Sequence, residues 1–369
     1  MIKKIVLLAV CCAFWLGPAA AGEKIRVAVA DNQRTITLRS KAGLIVDGRP
    51  GGSNKTITAS RFGSRPVRVR STSVFLEMNG RGYRGLIEIR RRENGLLLAV
   101  NELDIEDYLR GVVASEIPHA WELEALKAQA VASRTYALYQ KRTAGSRPYH
   151  IVATVEGQVY DGRRGERGAA DRAVQETTGE VLTYGGEVIP AFYHSSCGGQ
   201  TENAFELWGL DVPYLQGVDC ECQRISQYGE WERRFSPAQV TAALGKLGYR
   251  LDDLSEATIA GITPAGRVKQ VVFRYPGGTV SIPAEKFRSA VGTTLIPSVF
   301  FDLELSGGEI VISGRGMGHG VGLCQWGAQE MALRGQDYRS ILEHYYPGTR
   351  LKKRGTTGHE KQTEKKASK

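Results

Sequence analysis

Glu116 closes an apolar stretch, Val113-Ala114-Ser115-Glu116, just before the helix-stopping pair Ile117-Pro118. Some two hundred residues later five glycines alternate from Gly314 to Gly322, enclosing His319, and Gln325 and Trp326 follow. A carboxyl group flanked by Ala114, Ile117 and Pro118 at a helix end is set up to keep its proton. Desolvation disfavours the anion, and so does the negative end of the helix dipole. A carboxylic acid with a raised pKa is what protonation of a poor leaving group, such as a glycosidic oxygen, requires near neutral pH. Conventional glycosidases add a second carboxylate. None here is comparably placed, since Glu102, Glu122 and Glu124 read as loop or helix-surface charges. His319 lies in an open, glycine-rich segment, and Gln325 and Trp326 at a helix start are suited to hydrogen-bond and stack on a sugar. The glycines do not form a nucleotide loop: Gly-x-Gly-x-x-Gly spacing and Gly-Lys-Ser/Thr are both missing. They permit unusual dihedrals and close approach instead. No organic cofactor is expected.

Two further groups of residues stand out. On a helical wheel over 122–142, Lys127 and Arg134 point into a stripe formed by Leu123, Leu126, Ala130, Val131, Ala137 and Leu138. Buried charges need partners. Either they snorkel to the surface or form structural ion pairs, or the face lines a polar groove where Lys127 or Arg134 meets substrate or holds Glu116, with Gln129 and Tyr136 on its flank. The second group is His194-x-x-Cys197 with Cys220-x-Cys222, one imidazole and three thiols that suit tetrahedral structural zinc. A disulfide between Cys197 and Cys220 or Cys222 is the competing reading in an oxidising compartment. Four protein ligands would fill a zinc ion's coordination and leave it structural.

The elements that must hold these residues give an α+β chain. Residues 23–99 are β-rich, with alternation at Ile25–Val29 and Val67–Arg70 and a hairpin signal at Asn94-Gly95. Helices are expected from Asp104 to before Pro118, over 122–142, near 237–247, near 321–333 and over 338–345. Strands are expected at 180–184 and 187–193. Residues 226–310 read as a mixed inserted subdomain between core segments 100–225 and 311–350. Met1–Gly22 has the charged start, apolar centre and small-residue end of a signal peptide, so export to the periplasm or cell wall is expected. Nothing after it is long and apolar enough to span a membrane. Of the formal charge of +10, the tail from Lys352 to Lys369 holds seven Lys/Arg against Glu360 and Glu364. It reads as a disordered basic segment over 351–369. A polyanionic wall or glycan is a better partner for such an exported chain than nucleic acid.

Ala114-Ser-Glu-Ile-Pro118, Lys127-Ala-Gln-Ala130, Arg134-Thr-Tyr-Ala137 and the Gly/His319/Gln325 segment together resemble the SpoIID/LytB family, from about Val100 to Tyr346. The resemblance implies a peptidoglycan lytic transglycosylase with Glu116 as the single acid and base. In that chemistry the 6-hydroxyl of the muramic acid sugar attacks its own anomeric carbon, leaving 1,6-anhydro ends and needing no positioned water. It also implies a second possibility, a glycan-binding enhancer of a cell-wall amidase. Some members carry zinc near the segment matching His194–Gly199. Cys324 stands where the family commonly has Ser.

Overall fold

The structure, a computed structural model, describes residues 22–354. The signal segment before Gly22 and the tail beyond Arg354 lie outside the described residues. The chain is α+β, with a β-rich N-terminal part. Strands Lys24–Gln33, Val67–Met78, Arg81–Arg91 and Leu97–Asp104 are the long members of a nine-stranded sheet. Their period-two pattern sends Ile25, Val27, Ile87 and Ile89 inward, as half-buried strands require. Gly95, with φ +80°, makes the expected Asn94-Gly95 turn. The short strand Ile151–Val152 adds in parallel to the first strand, pairing Ile151 with Val27.

Helix α1 (Ile105–Glu116) starts where the Asp104 carboxylate accepts the Glu106 N–H at 2.9 Å. It stops at Ile117, which Pro118 forces into extended backbone (φ −135°, ψ 153°). Glu116 is therefore its last residue. Next come α2 (Leu123–Thr143), α3 (Gly168–Glu176) and the short α4 (Ala204–Trp208), the last two unpredicted. Helices α5 (Pro237–Gly245) and the likewise unpredicted α6 (Ala284–Val291) lie within the residues read as an insertion, and α7 (Gln325–Leu333) and α8 (Tyr338–Tyr345) finish the fold. The strand expected over 187–193 is two fragments, Glu187–Val188 and Tyr193–His194.

Three apolar cores organise these elements. The first joins Val27 and Ile87 of the sheet to Leu109 of α1, Leu126 of α2 and Ala173 of α3. The second takes the opposite side of α2, with Ala128 and Val131, against Leu323, Ala328 and Ile341. Helix α2 is thus buried between two cores, and its simple wheel is a poor guide to which side faces outward. The third core belongs to 231–312, where Val240, Phe273, Phe287 and Ile312 meet. Its strand Glu309–Gly314 runs past the boundary expected at 310, and the strand Leu97–Asp104 crosses the one expected at 99. At the other end Arg350–Lys353 pairs antiparallel with Glu180–Thr183, which takes the first residues of the expected tail into the fold. No helix of the described residues is long and apolar enough to cross a membrane.

Candidate active site

Glu116 ends α1 at a partly open position, facing elements distant in sequence. Its Oε1 accepts the Val159 N–H at 2.6 Å. Burial pushes its carboxyl up from the ordinary 4.5 to about 7, against the lowering pull of hydrogen bonds from the Val159 backbone, Tyr193 and Gln325. No carboxylate is among the groups that act on it. The expected acid is therefore a group that still holds its proton near neutral pH, and it stands without a second acidic partner.

Behind it runs a buried polar network. Tyr108 Oη donates to Gln158 Oε1 at 3.1 Å, and Gln158 Nε2 donates to Tyr193 Oη at 3.0 Å and to the Ser133 carbonyl at 3.1 Å. Tyr193 is also one of the groups that pull the Glu116 pKa down. On the other side Gln325 Nε2 donates to Gln129 Oε1 at 3.3 Å, and Gln129 Nε2 to Ser133 Oγ at 2.9 Å. A satisfied network of this kind fixes side chains in one arrangement. Gln129 and Gln325, both expected to meet substrate, are instead buried within this network (1% and 5% exposed), and Tyr136 packs edge-on behind Tyr193 at 6.3 Å between ring centres. Trp326 is half-buried and meets Trp121 at 4.8 Å, edge to face, which places an aromatic edge beside Gln325.

Other expected site residues do different work. Lys127 is held between Glu124 at 2.8 Å and Glu176 at 2.7 Å. Arg134, 1% exposed, makes a two-pronged pair with Glu106 at 2.8 and 2.7 Å and donates to the Glu180 carbonyl. Of the two readings of these cations the structural ion pairs are present, and neither cation holds Glu116. Their buried stems are paired because an unpaired charge there would be very costly. His319 accepts the Val321 N–H at Nδ1 (3.0 Å), so its Nε2–H donates to the Tyr193 carbonyl at 3.0 Å. Burial holds its pKa down at about 4, so the ring is neutral. It pins the strand that carries Tyr193 and has no contact with Glu116 itself. Tyr193 and Gln158 were not foreseen. Tyr193 sits beside His194 in a motif already singled out, whereas Gln158 has no local signal.

The glycine run lets two strands approach closely. Residues Tyr193–His194 pair in parallel with Leu323–Cys324. At Gly322 (φ +71°) a Cβ would sit 2.2 Å from the Phe192 carbonyl oxygen, so only glycine fits. This pairing brings Tyr193 and Gln325 toward Glu116 from adjacent segments.

The same pairing corrects the expected zinc ligands. The sulfurs of Cys197, Cys220, Cys222 and Cys324 lie within 4.8 Å of one another, all four residues buried and free of disulfides. His194 is not among them: its Nδ1 faces the Val321 carbonyl at 3.1 Å, and its buried Nε2 has no partner. Cys324, not among the expected ligands, is brought in across 127 residues by the strand pairing. Amide groups of Cys197 and Gly327 point at its sulfur at 3.3 and 3.4 Å. At Gly327 a Cβ would lie 2.4 Å from the Cys220 sulfur, so this helix position must be bare. Four converging thiols form a donor set that suits tetrahedral zinc.

The α+β scaffold thus sets one proton-holding carboxyl beside a glutamine–tyrosine network and an aromatic edge. The family model described as Stage II sporulation protein matches residues 93–184, the span holding Glu116, α1 and α2. Stage II sporulation protein D of Bacillus subtilis is 33% identical over 269 residues, covering 69% of this chain and 76% of that one. An uncharacterized protein of Brachyspira hyodysenteriae is 36% identical over 256 residues, 69% of this chain and 68% of its own length. The amidase enhancer of Bacillus subtilis is 33% identical over 291 residues, 66% of this chain but 40% of its own length. The chain belongs to the SpoIID family.

Proposed function

We propose that this protein is an exported peptidoglycan lytic transglycosylase in which Glu116 is both acid and base. The observation that carries the reading is the isolated carboxyl of Glu116, raised to about 7 with no carboxylate acting on it. A two-carboxylate hydrolase would need a partner about 5–9 Å away. In the proposed reaction protonated Glu116 donates to the glycosidic oxygen between MurNAc and GlcNAc, and the bond from that oxygen to the anomeric carbon breaks. The 6-hydroxyl of the same MurNAc bonds to the anomeric carbon, and its proton goes to the Glu116 carboxylate. The acid is regenerated and no water enters. Tyr193 and Gln325 hold the carboxyl and stabilise the carboxylate between the two transfers. The Trp121–Trp326 edge offers a surface for a sugar face.

Zinc held by Cys197, Cys220, Cys222 and Cys324 is part of this proposal. It would supply no chemistry beyond a cross-link, because four thiolates leave no open position. The link would tie the segment after Tyr193 to the start of α7, just before Gln325. The competing reading for the whole protein, a glycan-binding enhancer of a cell-wall amidase, is favoured by the likeness to the amidase enhancer.

Incubation of the purified chain and its Glu116→Gln variant with peptide-free glycan strands, read by mass spectrometry, decides between them. Anhydro-ended fragments lost in the variant support the transglycosylase. Reducing ends without anhydro sugar refute it in favour of hydrolysis. Strand binding without cleavage by either form supports the enhancer.

A further inference from the structure

Charge in this protein is strongly divided. Residues 23–104 carry sixteen Lys and Arg against eight Asp and Glu, whereas residues 105–351 carry twenty-four against twenty-nine. Two cations of that excess, Arg39 and Lys41, meet three arginines of the later segment in a groove of about 1390 Å³. Its lining includes Arg39 and Lys41 from the sheet and Arg163, Arg164 and Arg167 from the turn before α3. All five are exposed, and among the described residues none has a carboxylate within 4.0 Å. The acids of the groove are Glu77 and Asp161, and Asp161 is taken by Arg81 at 3.0 Å. Phe75 lies in the same wall with the Arg163 guanidinium 4.6 Å over its ring. Glu77 lies opposite Arg39 in the strand register, but Arg163, Arg164 and Arg167 have no acid partner among the described residues, and such guanidinium groups beside an aromatic form a receptor for carboxylates on a bulky ligand.

The groove is mechanically joined to Glu116. Val159, whose N–H holds the Glu116 carboxyl, is four residues before Arg163. The turn Gly162–Gly165 between groove and site is pressed onto α1: a Cβ at Gly165 would fall 2.2 Å from the Gly111 carbonyl oxygen. One short rigid segment therefore has the acid's backbone donor at one end and the groove's cations at the other.

We infer that this groove is an anion-reading subsite for the glycan strand, in which Arg39, Lys41, Arg163, Arg164 and Arg167 engage the lactyl carboxylates of peptide-free MurNAc units remote from the bond being cut. The inference rests on the glycan reading of the Glu116 site. It gives these five cations a purpose, since a cleft lined by one sign of charge draws in an anionic polymer.

The test measures strand binding in the Glu116→Gln chain, which keeps the polymer intact, with and without Arg39→Gln, Lys41→Gln and Arg164→Gln combined. The added substitutions are expected to raise Kd by roughly tenfold or more at low salt and to flatten its salt dependence. Methyl-esterified strands should bind the unsubstituted groove as weakly as free-acid strands bind the neutralised one. An Arg39→Lys, Arg164→Lys version should retain most of the affinity, and thermal melting should confirm that each variant is folded. Equal binding by folded neutralised and unsubstituted chains, or indifference to esterification, overturns the subsite. So does tighter binding of a phosphodiester wall polymer at the same residues. Anhydro products from the parent chain together with undiminished binding by the neutralised variant would refute the groove while sparing the active-site reading. Charge-dependent binding with no cleavage by the parent would do the opposite.

Discussion

Replacing Glu116 with glutamine should make the protein more stable at high pH while abolishing cleavage. Folding raises the Glu116 pKa from 4.5 to about 7, so the folded chain holds that proton more tightly than the unfolded one. Below pH 4.5 the carboxyl is protonated in both states and costs nothing. As pH rises from 4.5 to 7 the unfolded chain ionises while the folded chain resists, and stability falls; above 7 the loss levels off. At 1.36 kcal/mol per pH unit the penalty is about 1 kcal/mol at pH 5 and about 3 kcal/mol at pH 8. Glutamine keeps an acceptor for the Val159 N–H and removes the ionisation. Urea unfolding of the two chains at pH 4, 5, 6 and 8 should show a difference that grows with pH up to about 7 and then stays flat. A difference that is constant across pH would mean that substitution merely altered packing. A difference of the opposite sign would mean that the site favours the carboxylate, and the acid assignment would fall with it.

Three other perturbations bear on separate parts of the argument. Tyr193→Phe removes a hydrogen bond that favours the carboxylate, so the alkaline limb of the cleavage pH profile should move to higher pH, which initial rates between pH 6 and 9 would reveal. Arg134→Ala leaves Glu106 and the Glu180 carbonyl without their partner, and denaturant unfolding should show a loss of about 3–5 kcal/mol. Cys324→Ser should lower bound zinc per chain, measured by elemental analysis of protein purified under reducing conditions, whereas His194→Ala should leave it unchanged. The reverse pattern would restore the imidazole to the ligand set.

Local signals in the sequence determined a good part of this protein. Asp104 with Glu106 and Asp107 opens α1 and Pro118 ends it, so Glu116 is placed at a helix terminus by its immediate neighbours. Alternation and Asn94-Gly95 fixed the hairpin, because both are short-range steric facts. The glycines from Gly316 to Gly322 announced close approach, though not which segment approaches. What tertiary structure alone decided lies in contacts between distant segments. The partners of Lys127 and Arg134 were settled by α2 lying between two cores, which a single-helix wheel cannot represent. The strand pairing of Tyr193–His194 with Leu323–Cys324 delivered Tyr193 to Glu116 and Cys324 to the thiols, and turned His194 away from them. Ligand spacing along a chain reports loops that can close by themselves. A fourth sulfur supplied across 127 residues depends on the free energy of the whole fold, and no local pattern encodes it.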